Sequence, residues 1–354
     1  MIQEDYYMKN YEFGLDTFGD VAFDDQTNER YSYAQSLRTI IEEGVLADQL
    51  GIDVLALGEH HREEFSISSP EVVLGALATK TKRIKLGTGV TVLSSDDPVR
   101  VYERFATLDA LSNGRAQVML GRGSFTESFP LFGYDLRDYD ELFEEKIAMY
   151  SEIIKGDPVT WEGKFTQSLK GTTIYPKMEN NRKLDTYVGV GGSPESILRA
   201  VRYGFPVMLA IIGGEAVRFA PYVNLYQRAA KQMNRPVLPV GMHSHGVIAE
   251  TNEKAYQIAW DYLKTYMDRL GMDRGWARMT KERFEFEIAE GSYYVGDPET
   301  VAQKIARTMP KLGVERFDLV YGAGGQRQAD RLKTIELYGG AVIPRVKELL
   351  AEGE

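Results

Sequence analysis

The sequence predicts an α/β protein, a single (β/α)8 (TIM) barrel built from eight parallel strands and the helices between them. Short apolar runs alternate with amphipathic stretches along the whole chain, and this alternation is typical of βαβ units in a parallel sheet. The 354 residues, 43% of them hydrophobic, are sufficient for a large core. Barrels of this class range from about 200 to more than 400 residues, so we expect one domain over residues 1–354.

Eight apolar, β-branched-rich runs of strand length support this fold class. We predict strands at Glu12–Leu15, Val54–Gly58, Lys85–Thr88, Ala116–Gly121, Tyr187–Val190, Pro206–Ile211, Leu238–Ile248 and Arg316–Val320. Eight strands favour closure into a barrel, although an open doubly wound sheet has the same alternation.

Helices are predicted between the strands from periodicity and end signals. In the first one, apolar residues recur at three- and four-residue intervals, and Gly51 follows its end, as is common at helix C-termini. The predicted helices are 33–50, 70–80, 98–111, 139–155, 194–203, 215–233, 252–271, 297–312 and 328–350.

Two segments interrupt this alternation. Residues 156–184 are polar and rich in turn residues, and residues 272–296 carry five aromatic side chains among many charges. Both are longer than ordinary connections between elements. We interpret them as insertions that border the site, with simple surface decoration as the alternative.

The charge balance and the absence of cysteine exclude several classes of protein. The net charge of −10 argues against a nucleic-acid partner, because phosphate binding needs a basic surface. With no cysteine, disulfides, thiolate nucleophiles and cysteine metal sites are excluded. No apolar run approaches a membrane span, and the first residues do not resemble a signal peptide. We therefore expect no membrane association and a cytoplasmic location.

The four histidines cluster in two places at the predicted carboxyl ends of strands, where barrel enzymes place their active sites. His60 and His61 are adjacent, so their side chains are expected to diverge, whereas His243 and His245 alternate and share a face. Three imidazoles at one rim would fit a metal-dependent hydrolase. However, no regular set of acidic residues follows the strands, and we expect no metal.

Glycines and one arginine at other strand ends suit an anionic or flat ligand. Gly87 and Gly89 follow the third strand, and Arg122 lies between glycines after the fourth, where a guanidinium can contact phosphate in bidentate fashion. After the fifth strand, GGSP places bare N–H groups at a helix start. Each signal alone is weak, since packing glycines and capped helices produce the same patterns.

Several motifs in order resemble the luciferase-like flavin monooxygenases. They are FGLDTF, LGIDVLALGEHH, IKLGTGVTVLSSDDPVRVYERFATLDALSNGR, GRGSFTESFPLFGYD, YVGVGGSPES, GFPVMLAIIGG and VGDPETVAQKI, and they extend over about 330 residues. The block LDALSNGR…GRG…LFG is the most specific part.

The resemblance implies roles for individual residues. His60 matches the family's site histidine, which acts on the flavin–oxygen adduct and the substrate. Gly89 and Val90 match a step that often contains a non-proline cis peptide against the flavin ring. Arg122, Gly123 and Ser124 match contacts to the flavin phosphate and ribityl chain, and Gly191, Gly192 and Ser193 match the turn around the phosphate.

Two departures concern specificity. Luciferase has a cysteine before the arginine, where this chain has Gly121, and the acidic–serine pair of its phosphate turn is replaced by Gly191 and Gly192. These differences argue against light emission and long-chain aldehyde specificity, but they leave flavin binding in place.

The resemblance implies an oxidoreductase that uses reduced FMN, supplied by a separate flavin reductase, and O₂ to oxygenate a small organic substrate. It also implies a homodimer. Phe125, Phe129, Met208, Ile211 and Ile212 are candidates for an apolar wall. The alternatives are a deazaflavin-dependent oxidoreductase that transfers hydride and a non-catalytic flavin-binding protein.

Overall fold

The computed structural model describes residues 11–123 and 125–352, and a ring of parallel strands lies at its centre. The strands are β1 (Glu12–Thr17), β2 (Val54–Leu57), β3 (Lys85–Thr88), β4 (Thr91–Val92), β5 (Gln117–Gly121), β6 (Val159–Trp161), β7 (Leu169–Thr172), β8 (Asp185–Val190), β9 (Val207–Ala210), β10 (Val240–Ile248), β11 (Tyr294–Gly296) and β12 (Arg316–Val320).

The predicted barrel is confirmed, with one strand divided in two. The sheet order is β3-β2-β1-β12-β10-β9-β8-β5-β4, with every pairing in the ring parallel. The third predicted strand continues as β4 beyond the Gly89–Val90 peptide, so the ring contains nine strands rather than eight. A bridge between Leu86 and Ala116 joins β3 to the start of β5 and nearly closes the ring.

Helices surround this ring. They are α1 (Tyr33–Gln49), α2 (Pro70–Ala78), α3 (Pro98–Leu111), α4 (Ser128–Leu131), α5 (Tyr139–Ile153), α6 (Pro194–Tyr203), α7 (Ala220–Gln232), α8 (Asn252–Ile258), α9 (Lys264–Arg274), α10 (Lys281–Ala289), α11 (Pro298–Leu312), α12 (Gln328–Leu337) and α13 (Ile343–Glu352). The main core lies between them and the outer face of the strands, which explains why the outward-facing strand residues, such as Phe13, Leu15 and Phe317, are apolar.

Helix ends follow the predicted signals more closely than helix interiors do. Ser32 and Gln35 form a capping box at the start of α1. The predicted helices 252–271 and 328–350 are each interrupted by a π-helical turn, at Ala259–Leu263 and Tyr338–Val342. Apolar periodicity does not reveal one inserted residue in a turn, so these interruptions were not predicted.

The two unusual segments have different positions. Residues 156–184 contain the antiparallel hairpin of β6 and β7 and pack on α5, where Glu145 accepts hydrogen bonds from the backbone N–H groups of Lys164 and Phe165 at 2.9 Å each. Residues 272–296 contain α10 and β11, and β11 pairs with the carboxyl end of β10. Only the second segment therefore approaches the carboxyl end of the barrel.

Among the helices of the described residues, none combines the length and the apolar character that crossing a membrane requires.

Candidate functional site

A cavity of about 920 Å³ lies at the carboxyl ends of the barrel strands. It is lined by residues that follow the strands and by residues of the connection from α9 to β11. Those that the chemistry below concerns are Phe18, Glu59, His60, Gly89, Val90, Met119, Gly121, Arg122, Gly123, Tyr139, Gly189, Gly191, Ser196, Met208, Ile212, His243, His245, Tyr266, Arg274, Trp276, Arg283 and Tyr293.

The floor of the cavity contains the Gly89–Val90 peptide, which is cis, as the resemblance implied. The Val90 side chain projects toward β5 and β8. A Cβ atom built on Gly121 would lie 2.5 Å from Val90 Cγ2, and one built on Gly189 would lie 2.9 Å from Val90 Cγ1. Glycine at 121 and 189 therefore makes room for Val90, which gives a structural reason for Gly121.

His60 lies in the cavity among aromatic rings. Its ring centroid is 4.4 Å from that of Phe65, 5.1 Å from that of Phe125 and 5.2 Å from that of Phe18. No described residue forms a hydrogen bond with either ring nitrogen. Burial, with smaller electrostatic contributions from the neighbouring His61 and Arg62, lowers the pKa of His60 to about 3. An unperturbed imidazole has a pKa of about 6.5, so this shift leaves His60 neutral at physiological pH.

His61 points away from His60, as predicted. Its Nε2 lies 2.9 Å from Glu59 Oε1, and its ring packs against Phe132 with centroids 5.1 Å apart. The other Glu59 oxygen accepts a hydrogen bond from the Val92 N–H at 2.9 Å. Glu59 thus connects His61 to β4, and His61 supports the cavity wall without lining it.

His243 and His245 both line the cavity from β10. His243 Nδ1 lies 2.5 Å from Asp16 Oδ2 on β1. His245 contacts Tyr266, with ring centroids 5.3 Å apart, and its buried Nδ1 has no hydrogen-bond partner among the described residues. Burial, together with the nearby His243, lowers the pKa of His245 to about 3. The two imidazoles therefore have different electrostatic surroundings although they share a strand face.

Although three imidazoles meet at one cavity, the described residues contain no group of three or more His, Asp or Glu side chains arranged to hold a metal ion. The histidines instead contact aromatic rings or a single carboxylate.

Arg122 lines the cavity after β5. Its Nη1 donates a hydrogen bond to Asp140 Oδ1 at 2.8 Å, and its guanidinium lies 5.2 Å from the centre of the Tyr139 ring. Asp140 is 78% exposed, so an anion that enters the cavity competes with a solvated carboxylate for Arg122. Gly123 lies beside Arg122 in the wall with a φ of +81°, whereas Ser124 lies outside the described residues.

The start of α6 contributes a second polar feature. Gly191 and Ser196 line the cavity, and no described atom lies within 4 Å of a Cβ built on Gly191. Ser193 caps α6, since its hydroxyl accepts a hydrogen bond from the Ser196 N–H at 3.3 Å. Gly192, with a φ of +101°, packs against Phe219. Of the predicted phosphate turn, Gly191 lies in the wall, while Gly192 and Ser193 lie behind it.

The connection from α9 to β11 forms one wall of the cavity, as predicted for residues 272–296. Arg274, Trp276 and Arg283 belong to this wall. No described residue of 156–184 lines the cavity, so the interpretation of that segment as a site border is wrong. Of the predicted apolar wall, Met208 and Ile212 line the cavity. Phe125 instead contacts His60 from behind, and Phe129 and Ile211 are core residues.

Sequence reasoning missed several residues of this site, foremost Asp16, whereas Glu59 follows the second strand in GEHH and lies in the cavity wall as that position predicts. Asp16 is fully buried within an apolar strand, together with Arg316 and Asp318 on β12. Ionisable residues inside otherwise apolar strand runs are rarely buried without a partner. The aspartate within FGLDTF therefore indicated that Asp16 has a partner, but the sequence did not show that this partner is His243.

A sequence model of the luciferase-like monooxygenase family matches residues 17–316. The chain belongs to this family. As a luciferase-like monooxygenase it is an enzyme, and several of its relatives carry monooxygenase names. It is 27% identical over 306 residues to limonene 1,2-monooxygenase from Rhodococcus erythropolis, covering 84% of this chain and 78% of that protein. It is also 27% identical over 321 residues to the oxygenase component of a flavin-dependent trigonelline monooxygenase from Acinetobacter baylyi, covering 88% and 84%.

Solved structures show the same fold. The monooxygenase RslO1 from Streptomyces bottropensis superposes with a TM-score of 0.81 at 23% identity, covering 94% of this chain and 99% of that one. The oxygenating constituent of 3,6-diketocamphane monooxygenase from Pseudomonas putida, in complex with FMN, gives 0.75 at 20% identity, covering 95% and 98%. A coenzyme F420-dependent tetrahydromethanopterin reductase from Methanopyrus kandleri gives 0.69 at 20% identity, covering 95% and 99%.

Proposed function

We propose that this luciferase-like monooxygenase binds reduced FMN, delivered by a separate flavin reductase, and uses O₂ to oxygenate a small organic substrate. The observation that carries this proposal is that one cavity combines two kinds of residues. Arg122 and the start of α6 offer groups that attract an anion, and neutral His60 packs among aromatic rings.

The polar residues of the cavity suit the FMN phosphate. A guanidinium and the bare N–H groups of a helix start both favour an anion. The space beside Gly191 is open to the cavity, so a phosphate can approach the backbone there. We assign this contact to Arg122, Gly123, Ser124 and the turn from Gly191 to Ser193.

The floor suits a flat ring. Val90 packs with Met119, Tyr187 and Met208 in a small apolar cluster inside the barrel. Gly89 and Val90 therefore offer an apolar surface without a projecting charged group. Reduced FMN would supply the electrons that activate O₂ when it is bound here.

The aromatic residues of the cavity suit an apolar substrate. Ligand pockets commonly measure about 300–1,000 Å³, and this cavity lies near the upper end of that range, which leaves room for a small molecule beside the cofactor. Phe18 packs against the ring of His60, and Tyr266 packs against that of His245, so aromatic surface borders both imidazoles. A neutral imidazole carries one N–H and one bare nitrogen, so His60 can both donate and accept a hydrogen bond at the reacting centre.

A deazaflavin-dependent oxidoreductase is the second candidate, because an F420-dependent reductase shares this fold. The two candidates differ in their use of O₂. The monooxygenase consumes O₂ with the reduced cofactor, whereas hydride transfer from a deazaflavin does not require it.

The partners follow from the same proposal. The separate reductase is supported by the relative that is named an oxygenase component. We also infer that the protein is a homodimer in the cytoplasm. We infer one flavin-binding domain over residues 1–354, because α1 and α12, which lie near the two ends of the chain, pack against each other.

The test is an anaerobic titration of the purified protein with reduced FMN, reduced FAD and a reduced deazaflavin, followed by mixing with O₂. We expect reduced FMN to bind most tightly, and O₂ to be consumed by the bound cofactor with oxygenation of an apolar substrate. Preferential binding of the deazaflavin, with substrate reduction in the absence of O₂, would instead establish the second candidate.

A further inference from the structure

The Asp16–His243 pair lies under the floor of the cavity and has no part in the function proposed above. Asp16 on β1 and His243 on β10, the two strands that flank β12, are joined by the contact between Oδ2 and Nδ1 at 2.5 Å. Asp16 is fully buried, whereas His243 lines the cavity. A Cβ built on Gly89 would lie 3.3 Å from Asp16 Oδ1, so the pair lies against the Gly89–Val90 floor.

The other charges near the pair balance each other. Arg316 donates hydrogen bonds to both oxygens of Asp318, at 2.8 Å from Nε and 2.6 Å from Nη2. Asp318 is the register partner of His243 on the neighbouring strand. The Arg316–Asp318 pair is therefore already neutral and provides no net charge for Asp16.

His243 is the remaining source of positive charge for Asp16. The second oxygen of Asp16, Oδ1, is buried and has no hydrogen-bond partner among the described residues. An isolated buried carboxylate is strongly unfavourable, and a paired one is tolerated. Since Nδ1 of His243 is occupied by Asp16, Nε2 is the nitrogen available to a bound molecule.

We propose that the Asp16–His243 pair holds a positive charge on the His243 imidazole and thereby favours the reduced, anionic state of a flavin bound in the cavity over the oxidised, neutral state. This inference rests on the proposed function. Two electrons and one proton, supplied by the reductase, convert the neutral oxidised ring to an anion. The cavity then gains one negative charge. The Asp16–His243 pair is neutral overall, but its positive partner lines the cavity and Asp16 is buried behind it, so the negative charge lies closer to the imidazolium than to the carboxylate.

His60 and His245 do not provide this charge. Burial keeps both imidazoles neutral at physiological pH, as described above, and neither faces a carboxylate. Among the histidines that line the cavity, His243 alone contacts an acidic side chain within the described residues. His243 is thus a cofactor-binding residue in this proposal, and Asp16 is a positioning residue that acts through it.

The test compares the affinity for oxidised and for reduced FMN, under anaerobic conditions, in the wild type and three variants. His243→Gln removes the charge, and Asp16→Asn keeps an oxygen acceptor for Nδ1 but removes the carboxylate. His61→Gln is the matched control, since that imidazole lies outside the cavity wall. Thermal unfolding of each variant verifies that it is folded.

We expect His243→Gln and Asp16→Asn to weaken the binding of reduced FMN about tenfold more than that of oxidised FMN. For a two-electron couple, a tenfold difference lowers the midpoint potential of bound FMN by about 30 mV. The control should leave the ratio of the two affinities unchanged. Redox titration against a dye of known potential measures the same quantity independently.

Equal losses of affinity for both redox states would overturn the inference, since a merely structural role affects both alike. If Asp16→Asn does not fold, His243→Gln decides by itself. If the wild type binds FMN in neither state, the proposed function fails and this inference fails with it. If the wild type binds reduced FMN but His243→Gln leaves the affinity ratio unchanged, only the inference fails.

Discussion

The packing of Val90 against Gly121 provides a quantitative test of how the cavity floor is built. A Cβ at position 121 would lie 2.5, 2.9 and 3.0 Å from three carbons of Val90, whereas carbons in ordinary contact are about 3.5–4.0 Å apart. The Val90 side chain is β-branched and has few alternative rotamers. Overpacking of this kind costs about 1–3 kcal/mol, so we expect Gly121→Ala to lower the free energy of unfolding by about 2 kcal/mol.

A double-mutant cycle isolates this contact. Val90→Ala removes the two carbons that lie 2.5 and 3.0 Å from the new methyl group. Val90 Cβ remains 2.9 Å away, so in that background Gly121→Ala should still cost about 1 kcal/mol, and the two substitutions should couple by about 1 kcal/mol. Urea unfolding of the wild type, both single variants and the double variant measures the coupling. FMN titration of the same proteins should show affinity lost in Gly121→Ala and recovered in the double variant.

Gly75→Ala is the control, because Gly75 lies within α2 and no described atom is within 4 Å of its added Cβ. This substitution should be neutral or slightly stabilising in a helix. If the effects of Gly121→Ala and Val90→Ala simply add, to within about 0.5 kcal/mol, Val90 does not determine the residue at position 121 and the description of the floor is wrong.

Four further outcomes are expected. Arg122→Ala should weaken FMN binding in calorimetric titrations by about 1.5–3 kcal/mol. It should hardly affect the binding of riboflavin, which lacks the phosphate, and equal losses of affinity for FMN and riboflavin would contradict the phosphate contact. His60→Ala should bind reduced FMN nearly normally but lose about 10²–10⁴-fold in turnover. His61→Ala should mainly lower stability, and an equal loss of turnover in the two variants would contradict these roles. Burial lowers the pKa of His60 to about 3, so His60 should not change its protonation state between about pH 5 and 9. The pH–rate profiles of the wild type and of His60→Ala should therefore show the same inflections over this range. The pKa of His245 in the folded state, about 3, lies below its unfolded value of 6.5, so stability that is present above pH 6.5 is lost as the pH falls toward 3. Protonation of His245 should lower the free energy of unfolding by about 2 kcal/mol as the pH falls from about 7.5 to 5. In His245→Gln the free energy of unfolding should change correspondingly less over the same pH range.

Local patterns determined much of the fold and part of the site. The alternation of apolar runs and amphipathic stretches predicted the barrel, because the burial of one strand or one helix face depends on its own periodicity. The divergence of His60 and His61 also followed from local geometry alone. The positions of Gly89, Arg122 and Gly191 at strand ends placed them at the cavity, since the carboxyl ends of parallel strands meet at one face of a barrel.

Tertiary structure decided the properties that depend on residues distant in sequence. Asp16 and His243 are separated by 227 positions, and the strand register that brings them together exists only once the ring closes. The pKa of His60 depends on aromatic rings from other loops, so an isolated imidazole was a poor guide. Likewise, the segments 156–184 and 272–296 have similar polarity, and only their packing shows which one lines the cavity. The periodicity of a segment predicts which of its residues are buried, whereas the closed barrel determines which other residues each of them contacts.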